Sequence, residues 1–300
     1  MKPRKALIII AITAAIVTAI TASYYPHFAS PSIKASTTTS LYTTGLLEEL
    51  ADKFRLHHSN VIIKFIPVGT GRALEMAERG DVDMVFVHAP QLEKQYIEKG
   101  VLVEGHIMAY NYFIIVGPKT DPAKIKGLED PIEAFRKIYN AGVQGKALFI
   151  SRGDKSGTHV KELLLWNKSG LNPQGQEWYI ESGQGMAKTL LLANEKGAYM
   201  LSDIGTFLKL KCEGRLDQLE ILVSGGKELI NIYSVYLVNP EKFNTNYELA
   251  KEFMEFVLSD EGQSIIESYG KARYNTSLFY PAKSNLEMLE AYWHELASGE

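Results

Sequence analysis

The apolar positions of this chain alternate between two rhythms. Leu46, Leu47, Leu50 and Phe54 recur at helical spacing, which predicts an amphipathic helix over Thr44–His57. The next apolar run, "VIIKFIPV", has the length and β-branched content of a strand. "TGRALEMAERG" then returns to the helical period, with Thr70 as its N-cap and Gly80 as its stop. "VDMVFVHA" is almost continuously apolar, as a strand buried on both faces must be. The alternation continues, with strands at "YNYFIIVGP", "KALFI", "AYMLSD", "LEILVSG" and "IYSVYLVNP". Helices are predicted at Pro131–Tyr139, Thr158–Ser169, Met186–Lys196, Ile204–Lys211, Tyr247–Leu258 and Glu261–Tyr269, with another in the tail from Phe279 to Glu300. This rhythm predicts parallel, doubly wound sheets in two α/β units joined by two crossovers. Pockets in such folds lie at the carboxyl ends of strands, facing the other unit.

The first residues break the pattern. Lys2, Arg4 and Lys5 precede an apolar run from Ala6 to Ala22, interrupted only by Thr13, Thr18 and Thr21. A charged start followed by such a run is an export signal. Its length of about 17 residues is at the lower limit for spanning a bilayer. Ile20 spoils a small-x-small cleavage site after Ala22, and no cysteine directly follows the run to take a lipid. Residues 1–35 are therefore either a removed signal or an N-terminal membrane anchor with its linker. Both place the globular part outside the cytoplasm, at the cell surface or in the periplasm.

Composition narrows the remainder. Three hundred residues, 46% hydrophobic and 22% charged, suffice for one large domain or two modest ones. A net charge of −3 gives no global basic field for nucleic acid. The single cysteine, Cys212, allows no internal disulfide, so an exported fold must rest on its core.

The chemistry concentrates in loops. "STTTS" (with Thr38, Thr39 and Ser40), "VGTG" (with Thr70) and "SRGDKSGTH" (Ser151–His159) each lead into a helix N-terminus. Unpaired N–H groups and the positive end of the helix dipole favour anions there, and hydroxyls add donors. N-capping alone accounts for any one such loop, though less readily for three. In the third, Arg152 brings a permanent charge and a fork of donors, while Ser156, Gly157 and Thr158 open the helix. Asp154 either pins Arg152 or faces a protonated ligand. A fourth loop, "ESGQGM", offers Gln184 between two glycines. His88, after a buried strand, reads equally as packing or as a cleft residue. Enzyme readings are weaker. Asp154, Ser156 and His159 are too close in sequence to form a nucleophilic triad, no G-x-S-x-G elbow occurs, and "GTGRALE" lacks the lysine of a P-loop. His57 and His58 are a solvated helix-end pair rather than metal ligands. No catalytic group, cofactor or metal cation is expected.

These stretches resemble the two-lobed substrate-binding components of ABC importers, and are most similar to their tungstate-binding subfamily. The matching segments are "TTTS", "VGTGRALEMAERGDVDMVFVHAP", "YNYFIIVGP", "SRGDKSGTHVKELLLW", "WYIESGQGMAKTLLLANEKGAYMLSD", "VNPEK" and "FVLSDEGQ", covering Thr37 to Tyr269. The resemblance implies a two-lobe, periplasmic-binding-protein-like (type II) α/β fold with two hinge crossovers. Lobe I would comprise 36–111 plus 234–281, lobe II 112–233, and a helical tail 282–300. It implies a tungstate or molybdate dianion held by Thr38, Thr39 and Thr70 from one lobe and Arg152 and Thr158 from the other. A monomer delivering it to permease and ATPase subunits would follow. Phosphate or sulfate binding, or a ligand-sensing module, are the alternatives. Ile204-Gly205 stands where the resemblance leads one to expect an arginine before the glycine, and "NIYSVYLV" lacks the usual proline at the returning strand.

Overall fold

The computed structural model describes residues 31–298, so the signal or anchor at residues 6–22 lies outside the described residues. Strand β1 (Ser32–Thr38) lies inside the first sheet between two neighbours; Ile33 and Ala35 are fully buried, while Lys34 is exposed. A short helix α1 (Thr39–Thr44) follows. It ends on Gly45, whose φ of 90° lets the chain turn directly into α2 (Leu46–His57). Leu46, Leu47, Leu50, Ala51 and Phe54 form the buried face of α2, as the spacing predicts. Strand β2 (Ile62–Val68), helix α3 (Thr70–Glu78), strand β3 (Met84–Val87) and helix α4 (Pro90–Glu98) complete the first pass.

Strand β4 (Leu102–Pro118) changes the predicted topology. It is 17 residues long where the apolar pattern marks only Tyr110–Pro118. Glu104, with φ 46°, and the register shift between Val103 and His106 interrupt its first half and hide its period. At about 3.3 Å per residue it is long enough to serve both halves of the molecule.

The chain continues through α5 (Pro131–Val143), β5 (Phe149–Ser151), α6 (Gly157–Ser169), β6 (Tyr179–Glu181), α7 (Met186–Lys196), β7 (Met200–Asp203), α8 (Ile204–Cys212) and β8 (Leu219–Ser224). Strand β9 (Ile230–Val238) returns to the first half. Then come α9 (Tyr247–Leu258), α10 (Asp260–Ser268), α11 (Lys271–Tyr274), β10 (Tyr280–Pro281) and α12 (Leu286–Ser298). The tail helix is thus shorter than predicted, because Tyr280–Asn285 forms a strand and a 3-10 turn.

The sheet order is β10-β4-β9-β3-β1-β2, with β7 and β8 also on β4. β1 is parallel to β2 and β3, but β9 is antiparallel to both β3 and β4. The expected all-parallel sheet is therefore corrected to a mixed one. The returning β9 inserts from the opposite direction, which a strand-helix alternation does not encode. β4 pairs with β9 up to Tyr112 and with β7 and β8 from Phe113 onward, so it is one of two crossovers. Separate cores lie on either side, one around Phe54, Phe86 and Phe253, others around Phe135, Phe149 and Trp166 and around Met200 and Phe207. Between them lies a layer of buried polar residues that includes Ser40, His88, Asn111, Arg152, Thr158, Asp203 and Asn231.

Candidate functional site

Buried polar side chains are hydrogen-bonded unless something else claims them. Several in this layer are not. Thr37 Oγ1, Thr70 Oγ1, Thr158 Oγ1 and Arg152 Nε have no hydrogen-bond partner among the described residues.

From the first half, Thr38 caps α1, its Oγ1 accepting from the Leu41 amide at 3.3 Å. Ser40 is buried, with its Oγ 3.3 Å from Thr38 Oγ1 and 3.4 Å from His88 Nε2. Thr39 is half-buried. Thr70 departs from expectation. The N-cap of α3 is Gly69, extended and without a side-chain cap, while Thr70 is the first helical residue. A hydroxyl one place inside the helix leaves its own amide to solvent or ligand and cannot cap. Its buried oxygen is free for another partner.

The second half supplies the charge. Arg152 is 3% exposed and pairs through Nη2 with Asp154 Oδ2. Asp154 Oδ1 accepts from the Ser156 amide at 3.1 Å, so both carboxylate oxygens are engaged and Asp154 pins the arginine. Ser156 caps α6 by accepting from the His159 amide at 3.3 Å. His159 Nδ1 accepts from the Lys155 amide at 3.0 Å, which rules the ring out as a base for Ser156 in this arrangement. Gly153, at φ 61°, turns the loop where a Cβ would meet Glu181 Cβ at 2.7 Å.

The halves touch at two helix starts. A Cβ on Gly157 would come within 2.8 Å of His88 Cε1, and one on Gly205 within 2.9 Å of Thr44 Cγ2. Lys209 Nζ also donates to the Thr43 carbonyl at 3.2 Å. Gly157 is therefore demanded by close approach between halves rather than by its own backbone. Gln184 is not drawn into the buried group. It stands exposed at the rim of a cleft of about 390 Å³, shared with Thr39, Ser40, Thr43 and Thr206.

Sequence reasoning passed over two groups at the start of α8. Thr206 is buried in the first turn of α8, and Asp203 caps that helix by accepting from the Thr206 amide at 2.7 Å. Burial raises the Asp203 carboxyl, against the Thr206 hydrogen bonding and the Arg152 charge. The stretch "SDIGT" repeats the strand-end, small-residue, hydroxyl pattern of the other loops, and that signal was available. His88, left open by the sequence, is a buried cleft residue. Desolvation lowers its pKa to about 4, the Asn231 hydrogen bond opposing and the Arg152 charge adding to the shift. Among the described residues no cluster of His, Cys, Asp and Glu could hold a metal ion.

Two α/β halves on two crossover strands, enclosing buried donors, define a clamshell binding protein. Residues 23–261 match the PBP superfamily domain. The chain belongs to the PBP superfamily. It is 41% identical over 256 residues to the tungstate-binding protein TupA of Peptoclostridium acidaminophilum, covering 84% of this chain and 86% of that one. Among solved structures, the tungstate ABC transporter protein of Geobacter sulfurreducens is 45% identical, covering 79% of this chain and 98% of its own, with a TM-score of 0.71. The tungstate-binding protein TupA of Desulfovibrio alaskensis is 38% identical, covering 84% and 98%, with a TM-score of 0.72.

Proposed function

We propose that this chain is the extracytoplasmic solute-binding component of an ABC importer, capturing tungstate, or molybdate, between its lobes for delivery to a permease and its ATPase. The observation that carries this reading is the set of buried, unpartnered donors, Thr37, Thr70, Thr158 and Arg152, contributed by both halves. A fully ionised tetrahedral dianion needs only donors. The amides opening α3 and α6 add to them. Phosphate near neutral pH keeps a proton that requires an acceptor; both Asp154 oxygens already accept, from Arg152 and the Ser156 amide, which leaves Asp203 Oδ2 as the unpartnered acceptor among these residues. The sequence similarity to tungstate-binding proteins supports the same ligand.

The lobes are taken as 36–111 plus 234–281 and 112–233, acting as a monomer without catalysis, with residues 6–22 as export signal or anchor. No helix of the described residues is long and apolar enough to cross a membrane. Calorimetric titration with tungstate, molybdate, sulfate and phosphate tests the proposal. Tight binding of the first two over the last two is expected. Preference for phosphate would shift the ligand to Asp203 as acceptor and overturn the assignment.

A further inference from the structure

The orientation of the His88 ring is determined by a chain of hydrogen bonds that begins at a backbone carbonyl. Asn111 Nδ2 donates to the Leu278 carbonyl at 3.2 Å. A carbonyl only accepts, so the amide orientation of Asn111 is fixed and its Oδ1 is turned away. That Oδ1 accepts from Asn231 Nδ2 at 3.0 Å, and the same Nδ2 donates to the Tyr233 hydroxyl at 2.7 Å. Asn231 must then present Oδ1 to His88 Nδ1, 2.9 Å away. The ring proton consequently sits on Nδ1, and Nε2 carries a lone pair facing Ser40 Oγ.

Three parts of the molecule meet on this ring. Asn111 and Asn231 are direct register partners on β4 and β9, at the crossover between halves. Ser40, in α1 of the first half, lines the cleft. Gly157, which opens α6 in the second half, packs against the ring at Cε1. Asn231 is 143 residues from His88 in sequence, so only the fold makes the connection.

We infer that His88 is a positioning residue: the hinge pair Asn111–Asn231 holds it as the Nδ1–H tautomer, and its Nε2 lone pair orients the Ser40 hydroxyl at the anion site. The hinge and the cradle are thereby one hydrogen-bonded unit, and a change in the crossover geometry is transmitted to Ser40. The site stays neutral at His88 because burial and the nearby Arg152 charge oppose protonation. An imidazolium would instead point a proton at Ser40 and break the chain. The titratable groups near the ring are Arg152, Tyr233 and, through Arg152, Asp203.

The role of Ser40 rests on the oxyanion reading, but the tautomer does not. It is read by long-range ¹H–¹⁵N NMR of the ligand-free full chain carrying ¹⁵N-histidine, with His88 assigned by loss of its signals in His88→Gln. The Nδ1–H form is expected at pH 7, and a ring protonated at Nε2 overturns the inference. Tungstate titrations then test the consequence. Asn231→Ala should release the ring to a mixture of tautomers and weaken binding about tenfold, although Asn231 reaches the cradle only through His88. His88→Gln, which keeps an acceptor, should lose less affinity than His88→Phe. Equal losses for Gln and Phe, or a shifted tautomer with unchanged affinity, would show that the ring only fills space. Should Asn231→Ala not fold, the Gln and Phe pair decides alone. Should the wild type bind no oxyanion, the proposed function fails while the tautomer result stands.

Discussion

The two halves of the cleft hold the groups proposed to face the ligand by opposite means. The second half builds its contribution almost entirely within Ser151–His159, where Arg152, Asp154, Ser156 and His159 bond to one another over two to four residues. The first half presents neutral hydroxyls, of which Ser40 depends on distant partners, tied through His88 to Asn231 and Asn111. The charged element is thus local and preorganised, and the neutral element reports the state of the hinge. A loop carrying a guanidinium benefits from such pinning, because a mobile cation would lose side-chain entropy on binding.

Breaking the local element should have the largest effect. Arg152→Ala removes the cation proposed to face the anion, and truncating one partner of a buried charge pair costs roughly 3–5 kcal/mol. Tungstate affinity should fall by about two to four orders of magnitude. Arg152→Lys should recover only part of this, since an ammonium cannot fork across two oxygens. The pattern of residues suggests an exposed, dispensable pair, but Arg152 is buried, while Asp154 keeps 19% side-chain exposure. The ligand-free melting temperature should therefore drop moderately rather than stay constant. Calorimetry beside a thermal melt measures both, and tight tungstate binding by a folded Arg152→Ala protein would remove the arginine from the site.

Thr70 probes the neutral half. Because Gly69 is the cap, Thr70→Val removes no helix cap, and it replaces a buried, unpartnered hydroxyl by a methyl of the same shape. Stability should hold or rise, while a lost hydrogen bond to a charged ligand, about 1.5–3 kcal/mol, weakens tungstate binding roughly ten- to hundredfold. Thr70→Ser should retain binding. If the valine variant binds normally, the hydroxyl faces no ligand and the first half contributes less to binding than the second.

This contrast also explains what the sequence made legible. "SRGDKSGTH" could be read because its partners lie within the motif itself. The helical periods of α2, α7 and α9 were equally plain, since each buries one face. Thr70 was misplaced because a hydroxyl after glycine looks the same at the N-cap and at the first helical position. The first half of β4 escaped because Glu104, Gly105 and His106 interrupt its period at a bulge. His88 could not be resolved at all, because Asn231 is a neighbour only once β9 has returned.

The proposed capture between lobes couples the halves, and Gly157 is one of two places where they press on each other. Alanine is a good helix former, so Gly157→Ala should leave the ligand-free fold intact. Its methyl would lie 2.8 Å from His88 Cε1 and 3.0 Å from Nδ1, where no Cβ normally comes, and Asn231 holds the ring at that same Nδ1. The closed arrangement should be penalised, with about a tenfold loss of tungstate affinity. Small-angle scattering should show less compaction on adding tungstate than in the wild type. Equal compaction in both would mean that the ring yields and the contact does not gate closure.

The smallest effect on binding should come from beneath the local loop. Glu162, on α6, is fully buried, and its Oε1 accepts from the Tyr179 hydroxyl at 2.7 Å and Trp166 Nε1 at 3.2 Å. Burial pushes its pKa up to about 7, against those hydrogen bonds. In the unfolded chain it titrates near 4.5, so between about 4.5 and 7 the folded state holds the extra proton. Stability from this group is therefore greatest below 4.5, declines as pH rises toward 7, and is fully lost above it. Glu162→Gln imitates the protonated form. It should raise the melting temperature at pH 8 relative to wild type, with little difference at pH 4.5, and leave tungstate affinity almost unchanged. A gain of equal size at both pH values would mean that Glu162 does not titrate in this range. A clear change in affinity would show that the second-half loop is not as self-contained as its hydrogen bonds make it.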